Sequence, residues 1–291
     1  MSTVDAVAGT RRHRGRERRT EVDEARAADL CAADHPSDAR IYDYLLGGSH
    51  NFAVDRQMAH RLLAAAPDHW RAIRENRAFL RRAVGALLAA GVRQFLDIGS
   101  GMLSVGSVHE LVQPHHPDAR VVYVDIDPVA VAQARGQLAG NPAATAIEGD
   151  LRRPAAILRD PATTALIDFD RPVGLLLVAV LQFISDADDP AAVIGYLRDA
   201  VAPGSYLVVS HGVAPRWAGP DCDFIRLFEE IARPLTSRSC AEIRTLLTGF
   251  ELLEPGVVWL PQWRPETPFD VGERPQRTNM VAAVGRKRTA G

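Results

Sequence analysis

Cysteine is scarce and scattered: three residues in 291, Cys31, Cys222 and Cys240, with no Cys-x-x-Cys pair. That spacing argues against a thiolate zinc site and a disulfide-stapled scaffold; no metal is expected, and a reducing cytoplasm is the expected compartment. Long apolar runs are also missing. None reaches the roughly 18 residues that span a bilayer, and the N-terminal stretch lacks the apolar core of a secretory signal. Charge of either sign is not in excess. With 34 Lys+Arg against 36 Asp+Glu and a net charge of -2, no global basic field recruits nucleic acid. What is there is the composition of a globular chain, 47% hydrophobic and 24% charged, long enough for one large α/β domain or two small ones.

The one concentrated charge is "RRHRGRERR" at 11–19. Such a block reads as a nucleic-acid or membrane arm or as a solvated tail; residues 1–30 are taken as a disordered basic tail. Neither a membrane nor nucleic acid is expected as a partner. In "DHPSD" (34–38), Pro36 cannot continue a helix, while Ser37 or Asp38 can cap a new one. Residues 31–91 are expected to form an N-terminal helical cap. Within it Trp70, Ile73, Phe79, Leu80, Val84, Leu87 and Leu88 recur at three- and four-residue spacing, and Gly91 closes the block.

The period then changes. "RQFLDIG" (93–99), "ARVVYVDID" (119–127), "ATAIEGD" (144–150), "VGLLLVAVL" (173–181) and "SYLVVSHG" (205–212) are short apolar runs of the kind buried parallel strands need. Helical patterns at 104–113, 128–140 and 190–201 separate them, and strand–helix alternation implies a parallel sheet with right-handed crossovers. "FELLEPGVVWL" (250–260) and "NMVAAVGRK" (279–287) supply two further strands, read as an antiparallel pair. The fold class expected is therefore α/β and Rossmann-like: a mostly parallel seven-stranded sheet over 92–291, with the helical cap before it. An acceptor-side insertion is expected at about 212–240. In it "DCDFIRLFEEIARPL" (221–235) places Phe224, Leu227, Phe228 and Ile231 on one helix face, to line a pocket or a homodimer interface.

The strongest motif is "FLDIGSGMLSVG". An apolar strand ends in Asp97, and Gly99-Ser100-Gly101 turns the chain into a helix, where backbone can approach a ligand at the sheet's carboxyl edge. A dinucleotide fingerprint needs a third glycine where this chain has Ser104. A nucleophile elbow needs glycine where Met102 stands. A Walker loop has no Gly-Lys-Ser/Thr here at all. Asp-x-Gly-x-Gly remains, the turn with which class I methyltransferases hold S-adenosylmethionine, although other proteins use it too. The second strand ends in Asp125, placed to accept from both hydroxyls of a ribose, with Ile126 beside it; Asp127 reads as a helix N-cap before Pro128. The third ends in Asp150-Leu151, a carboxylate for an adenine amine and a backbone amide for a ring nitrogen. Three strands pointing one way put Asp97, Asp125 and Asp150 on one edge, within reach of one adenosine-bearing cofactor.

The chain resembles the actinobacterial S-adenosyl methyltransferase family once known only as a domain of unknown function. "DARIYDYLLGGSHNFAVDR", "ENRAFLRRAV", "RQFLDIGSG", "ARVVYVDIDPV", "LLLVAVLQF", "DPAAVIGYLRDAVAPGSYLVVSH" and "WRPE" carry the resemblance, from about Pro36 to the C-terminus. It implies a Rossmann-like fold with a helical cap and S-adenosylmethionine as cofactor. Two positions depart from it: Ser49-His50 replaces a Lys-Asp pair, and Gln182 replaces a histidine.

With that fold, Gly99, Ser100 and Gly101 are expected against the cofactor, with Val180 at the end of the fourth strand. Arg40, Asn76 and Arg77 are candidates for the methionine carboxylate. Tyr42 and Gly48 are placed over the cofactor by a segment that folds back as a lid. His50 is the candidate base, since imidazole titrates near neutrality; Tyr44 and Gln182 complete the expected catalytic set. His211 is placed near the substrate side, and His115-His116 in a solvent-exposed loop. The function expected is methyl transfer to a small molecule in specialised metabolism. The alternatives are cyclisation of S-adenosylmethionine itself with loss of methylthioadenosine, motivated by Ser49-His50 and Gln182, and a cofactor-binding regulator.

Overall fold

The computed structural model describes residues 34–213, 223–231 and 234–288. The expected basic tail and parts of the 212–240 insertion lie outside them, as do Cys31 and Cys222; Cys240 is free and exposed.

The cap consists of three helices: α1 (Asp38–Leu45), α2 (Ala53–Ala65) and α3 (His69–Ala89). In α3 the apolar spacing does what it predicts, burying Phe79, Leu80, Val84 and Leu87 against the sheet, with Ile73 buried as well. Trp70 departs from that pattern. It is 40% exposed at the first turn, with the guanidinium groups of Arg71 and Arg74 over its ring. The helix ends at Gly91, whose φ of +88° lets the amides of Gly91 and Val92 return to Leu88 O and Leu87 O.

Five parallel strands follow: β1 (Gln94–Ile98), β2 (Arg120–Asp125), β3 (Ala144–Glu148), β4 (Gly174–Val178) and β5 (Tyr206–Gly212). Between them stand α4 (Val108–Val112), α5 (Pro128–Gln137), α6 (Pro154–Arg159), α7 (Pro161–Leu166) and α8 (Pro190–Ala200). α4 is shorter than its pattern because Gly106 (φ +81°) and the Ser104–Ser107 turn occupy its expected start. After β5 come α9 (Asp223–Glu230), α10 (Cys240–Leu246), β6 (Phe250–Leu252), β7 (Val258–Trp259) and β8 (Met280–Lys287).

The strand order is β3-β2-β1-β4-β5-β8-β6, with β7 also on β8. The sheet thus has eight strands where seven were expected. "FELLEPGVVWL" is two strands, because Pro255 lacks an N–H for a ladder and Gly256 (φ +84°) turns the chain. Its halves pair antiparallel with opposite ends of β8, Phe250–Leu252 with 285–287 and Val258–Trp259 with 281–282.

Strand alternation divides the core. Phe95, Val121 and Tyr123 join α3, α4 and α5 on one face; Leu96, Ile98, Val122 and Val124 join α6, α8 and α10 on the other. A third cluster lies outside the sheet, where Leu227 and Phe228 of α9 close on Ile41, Met58, Ala59 and Leu62 of α1 and α2. The apolar face of α9 is spent there, inside the chain. Lys287, the single lysine of the sequence, donates to the carbonyls of Arg198 and Val201 and so caps the end of α8.

Candidate functional site

A cavity of about 320 Å³ lies at the carboxyl edge of the parallel strands, with α1 and α3 as its roof. Its floor is the turn after β1. Gly99 is at φ +79°, and a Cβ there would stand 2.5 Å from Val180 Cγ2; Gly101 is at φ +63° beneath Ala39 of α1. No other residue type fits Gly99 on either count. The amides of Gly99 and Ser100 reach back to Val124 O, and the Gly101 amide donates to Asp125 Oδ2 at 2.7 Å. Asp125 Oδ1 accepts from the amide of Asp127 at 2.9 Å, so the carboxylate at the tip of β2 sets the turn's shape. Asp127 caps α5 through Val129 N at 2.9 Å and accepts from Ser37 Oγ at 2.6 Å. That second bond ties the entry of α1 to the sheet edge.

Two charged groups in this cavity are unsatisfied. Asp97 is 7% exposed, and its carboxyl makes no hydrogen bond among the described residues. Burial raises its pKa to about 7, the Arg77 charge opposing and Asp125 reinforcing. Arg77 donates from Nη2 to Ser104 Oγ at 3.1 Å and lies 5.9 Å from the Tyr42 ring centre, while its Nε is buried without a partner. Buried polar groups are ordinarily paired, so two orphans of opposite charge in one cavity mark a place for a ligand. At the β3 end Asp150 lines the cavity with Leu151. Burial works against its ionisation, but hydrogen bonds from the Arg152 amide and guanidinium hold it below the usual carboxyl range.

The model of the S-adenosyl methyltransferase family matches residues 24–288. The chain belongs to that family. It is similar over its length to two solved structures. One is a Thermobifida fusca protein provisionally described as a methyltransferase, 39% identical over 88% of this chain and 96% of that one, with a TM-score of 0.81. The other is a DUF574 family protein of Streptomyces avermitilis, 34% identical over 88% and 99%, with a TM-score of 0.83. No protein of curated function matches the sequence. Membership makes S-adenosylmethionine the cofactor and the sheet a class I methyltransferase sheet with an antiparallel edge. The residues present suit that cofactor. The two orphans match an α-amino-acid head group, and the glycine turn gives the close backbone approach.

Of the residues singled out in the sequence, this methyltransferase-family cavity gathers Tyr42, Asn76, Arg77, Asp97, Gly99, Ser100, Gly101, Asp125, Ile126, Asp150, Leu151 and Val180. Arg40, Gly48, His50, Tyr44 and Gln182 stand outside it. Arg40 is buried at 3% exposure and clamps Asp55 at 2.9 Å and His35 O at 2.6 Å, with Asp127 at 3.7 Å. It bolts the cap together instead of facing a carboxylate ligand. Gly48 is glycine because a side chain would overlap the buried Asp43 carboxylate, which accepts from the amide of His50 and from Asn51. His50 is exposed and does not line the cavity. Tyr44 bonds His60 Nε2 at 2.9 Å near the surface. Gln182 accepts from Gly212 N at 3.3 Å, turned toward the end of β5.

His211 is fully buried with Nδ1 2.5 Å from Gly212 O, leaving Nε2 to accept from Arg238 at 3.2 Å. Burial lowers its pKa to about 4, the Gly212 bond opposing and Arg238 adding to the effect. It is a structural imidazole. His115 is exposed and His116 half-buried, away from the cavity. Residues that the sequence did not point to also line the cavity: Ser37 and Asp38 before and in α1, Ala179 at φ +59°, Phe183, and Pro234. Of these, Ser37 and Asp38 carried a signal, as candidate helix caps.

Proposed function

We propose that this chain transfers the methyl group of S-adenosylmethionine to a small-molecule acceptor. The observation that carries the reading is the pairing, in one cavity beside the strand-end acids Asp125 and Asp150, of the buried Asp97 carboxyl with the Arg77 guanidinium, whose Nε has no partner among the described residues. Asp97 would hold the ammonium of the methionyl group and Arg77 its carboxylate. Asp125 with Ile126 would hold the ribose, and Asp150 with the Leu151 amide the adenine. The bound sulfonium supplies an already activated methyl group, so the chain's own work is to orient, desolvate and bring the acceptor in line. A cavity of this volume, roofed by α1 and α3, suits a small ligand.

The features that favoured cyclisation do not reach the cavity: His50 is exposed and Gln182 faces β5. The discriminating experiment incubates purified protein with S-adenosylmethionine, alone and with a panel of amine, thiol, phenol and carboxylate acceptors, and quantifies both nucleoside products. S-adenosylhomocysteine formed only with an acceptor is the expected result. Methylthioadenosine formed without any acceptor would overturn methyl transfer in favour of cyclisation. Tight binding with no turnover across the panel would favour a regulator.

A further inference from the structure

A line of hydrogen bonds crosses the protein directly beside the cavity. The Ala179 amide donates to Ser210 Oγ at 2.9 Å and Ser210 Oγ donates to Asn76 Oδ1 at 2.6 Å. Asn76 Nδ2 donates to Tyr42 Oη at 3.0 Å, and Tyr42 Oη donates to Ile73 O at 3.3 Å. Every donor points the same way, so the rotor of Ser210 and the flip of Asn76 are both dictated by their neighbours. Ser210 is fully buried and Asn76 is 2% exposed. One line thus joins the end of β4, β5, α3 and α1.

Its first member is strained. Ala179 sits at φ +59°, in the left-handed region that alanine does not enter without compensation. Its amide is shared between Ser210 Oγ and Ser210 O, the latter at 3.2 Å. Val180, the next residue, presses on Gly99. The place matters because of strand order. The acids suited to ribose and adenine stand on β2 and β3, to one side of β1, while β4 stands on the other. A ligand laid along this edge turns its reactive end toward β4, where Ala179 and Val180 form the wall and Tyr42 the roof.

We propose that Ser210 and Asn76 are positioning residues for methyl transfer, holding left-handed Ala179 on one wall and Tyr42 on the other at the spacing the sulfonium methyl requires. Neither needs to touch the cofactor's sulfur; both act through the walls they hold. The inference rests on the cofactor placement proposed above.

Calorimetric titration of S-adenosylmethionine and of S-adenosylhomocysteine tests it, since the two ligands differ only in the methyl group and its charge. Ser210→Ala is expected to weaken the methylated ligand about three- to ten-fold more than the demethylated one, the effect of one lost buried hydrogen bond. Tyr42→Phe, which keeps the ring, shifts the ratio in the same direction. In an Ala179→Gly background, where the left-handed conformation carries no strain, Ser210→Ala is expected to change the ratio less than about two-fold. Equal weakening of both ligands, or an undiminished effect beside Gly at 179, would overturn the proposal. Should Ser210→Ala fail to fold by circular dichroism, an unaltered ratio in Tyr42→Phe overturns it as well. Wild-type protein that binds neither ligand would instead refute the cofactor placement, a separate and recognisable result.

Discussion

Asp97 is a carboxyl that the ligand-free protein keeps partly protonated near neutrality. The unfolded chain releases that proton near pH 3.8, while the folded chain holds it to about 7. The stability the proton contributes is therefore complete below the lower value and is lost as the pH rises through the upper one. His69 and His211 run the other way. Burial lowers both to about 4, His69 against the rings of Phe224 and Phe228, so their share is present above 6.5 and lost as the pH falls through 4. Asp97→Asn isolates the first effect. Its ligand-free Tm should match wild type at about pH 3.5 and exceed it increasingly toward about pH 7, above which the difference levels off because wild type then carries a buried charge. A constant Tm offset across that range would mean that Asp97 is already ionised when the cavity is empty. The strand-end position of this residue was legible in the sequence, as were those of Asp125 and Asp150. The role of Arg40 was not, because its partner Asp55 looks in sequence like any exposed helix-start acid. Asn76 read only as a contact for the methionine carboxylate, and Ser210 gave no sign at all; they are 134 residues apart and meet only after the sheet has formed.

At the scale of elements, α9 is attached to the cap by two contacts of very different worth. Arg61 and Glu230 form a two-pronged pair at 2.7 and 2.9 Å, but both side chains are about half exposed. Phe228 is 5% exposed among Ile41, Met58 and Leu62. Glu230→Ala should change stability little, since the pair is screened by solvent, and Phe228→Ala should cost about 3–5 kcal/mol if the cluster cannot collapse around the loss. Hydrogen exchange decides where the second cost falls. Exchange should rise in 223–230 and 53–65 while β1–β5 stay protected; uniform loss of protection would show that the cap and the sheet unfold as one. The parallel strands were readable because each is buried on both faces and so is apolar without alternation. The edge was misread for the same reason: an apolar run across Pro255 looks continuous until the pairing partner is known. β8 is long enough to receive two short strands where one was expected.

For the whole molecule, the cavity belongs to the cap and the sheet jointly, with Tyr42, Asn76 and Arg77 above and Asp97, Gly99 and Asp125 below. Bound cofactor should therefore stabilise both together. At a hundred-fold excess over Kd, S-adenosylmethionine should add about 2.7 kcal/mol to unfolding, seen as a rise in Tm. Protection against exchange should extend to α1 and α3 as well as to the turn after β1. Protection confined to the sheet would place the ligand outside the cap's reach.

The single lysine has a practical corollary. Thirty-three of the 34 basic side chains are guanidinium groups, and the ammonium of Lys287 already faces two carbonyls at 2.8 and 2.7 Å. Acylating reagents will find little to modify along the folded chain. A lysine introduced on the outer face of α2 or α9 would then be a nearly unique attachment point for a dye, and a pair of such variants would report the separation of these two helices in solution.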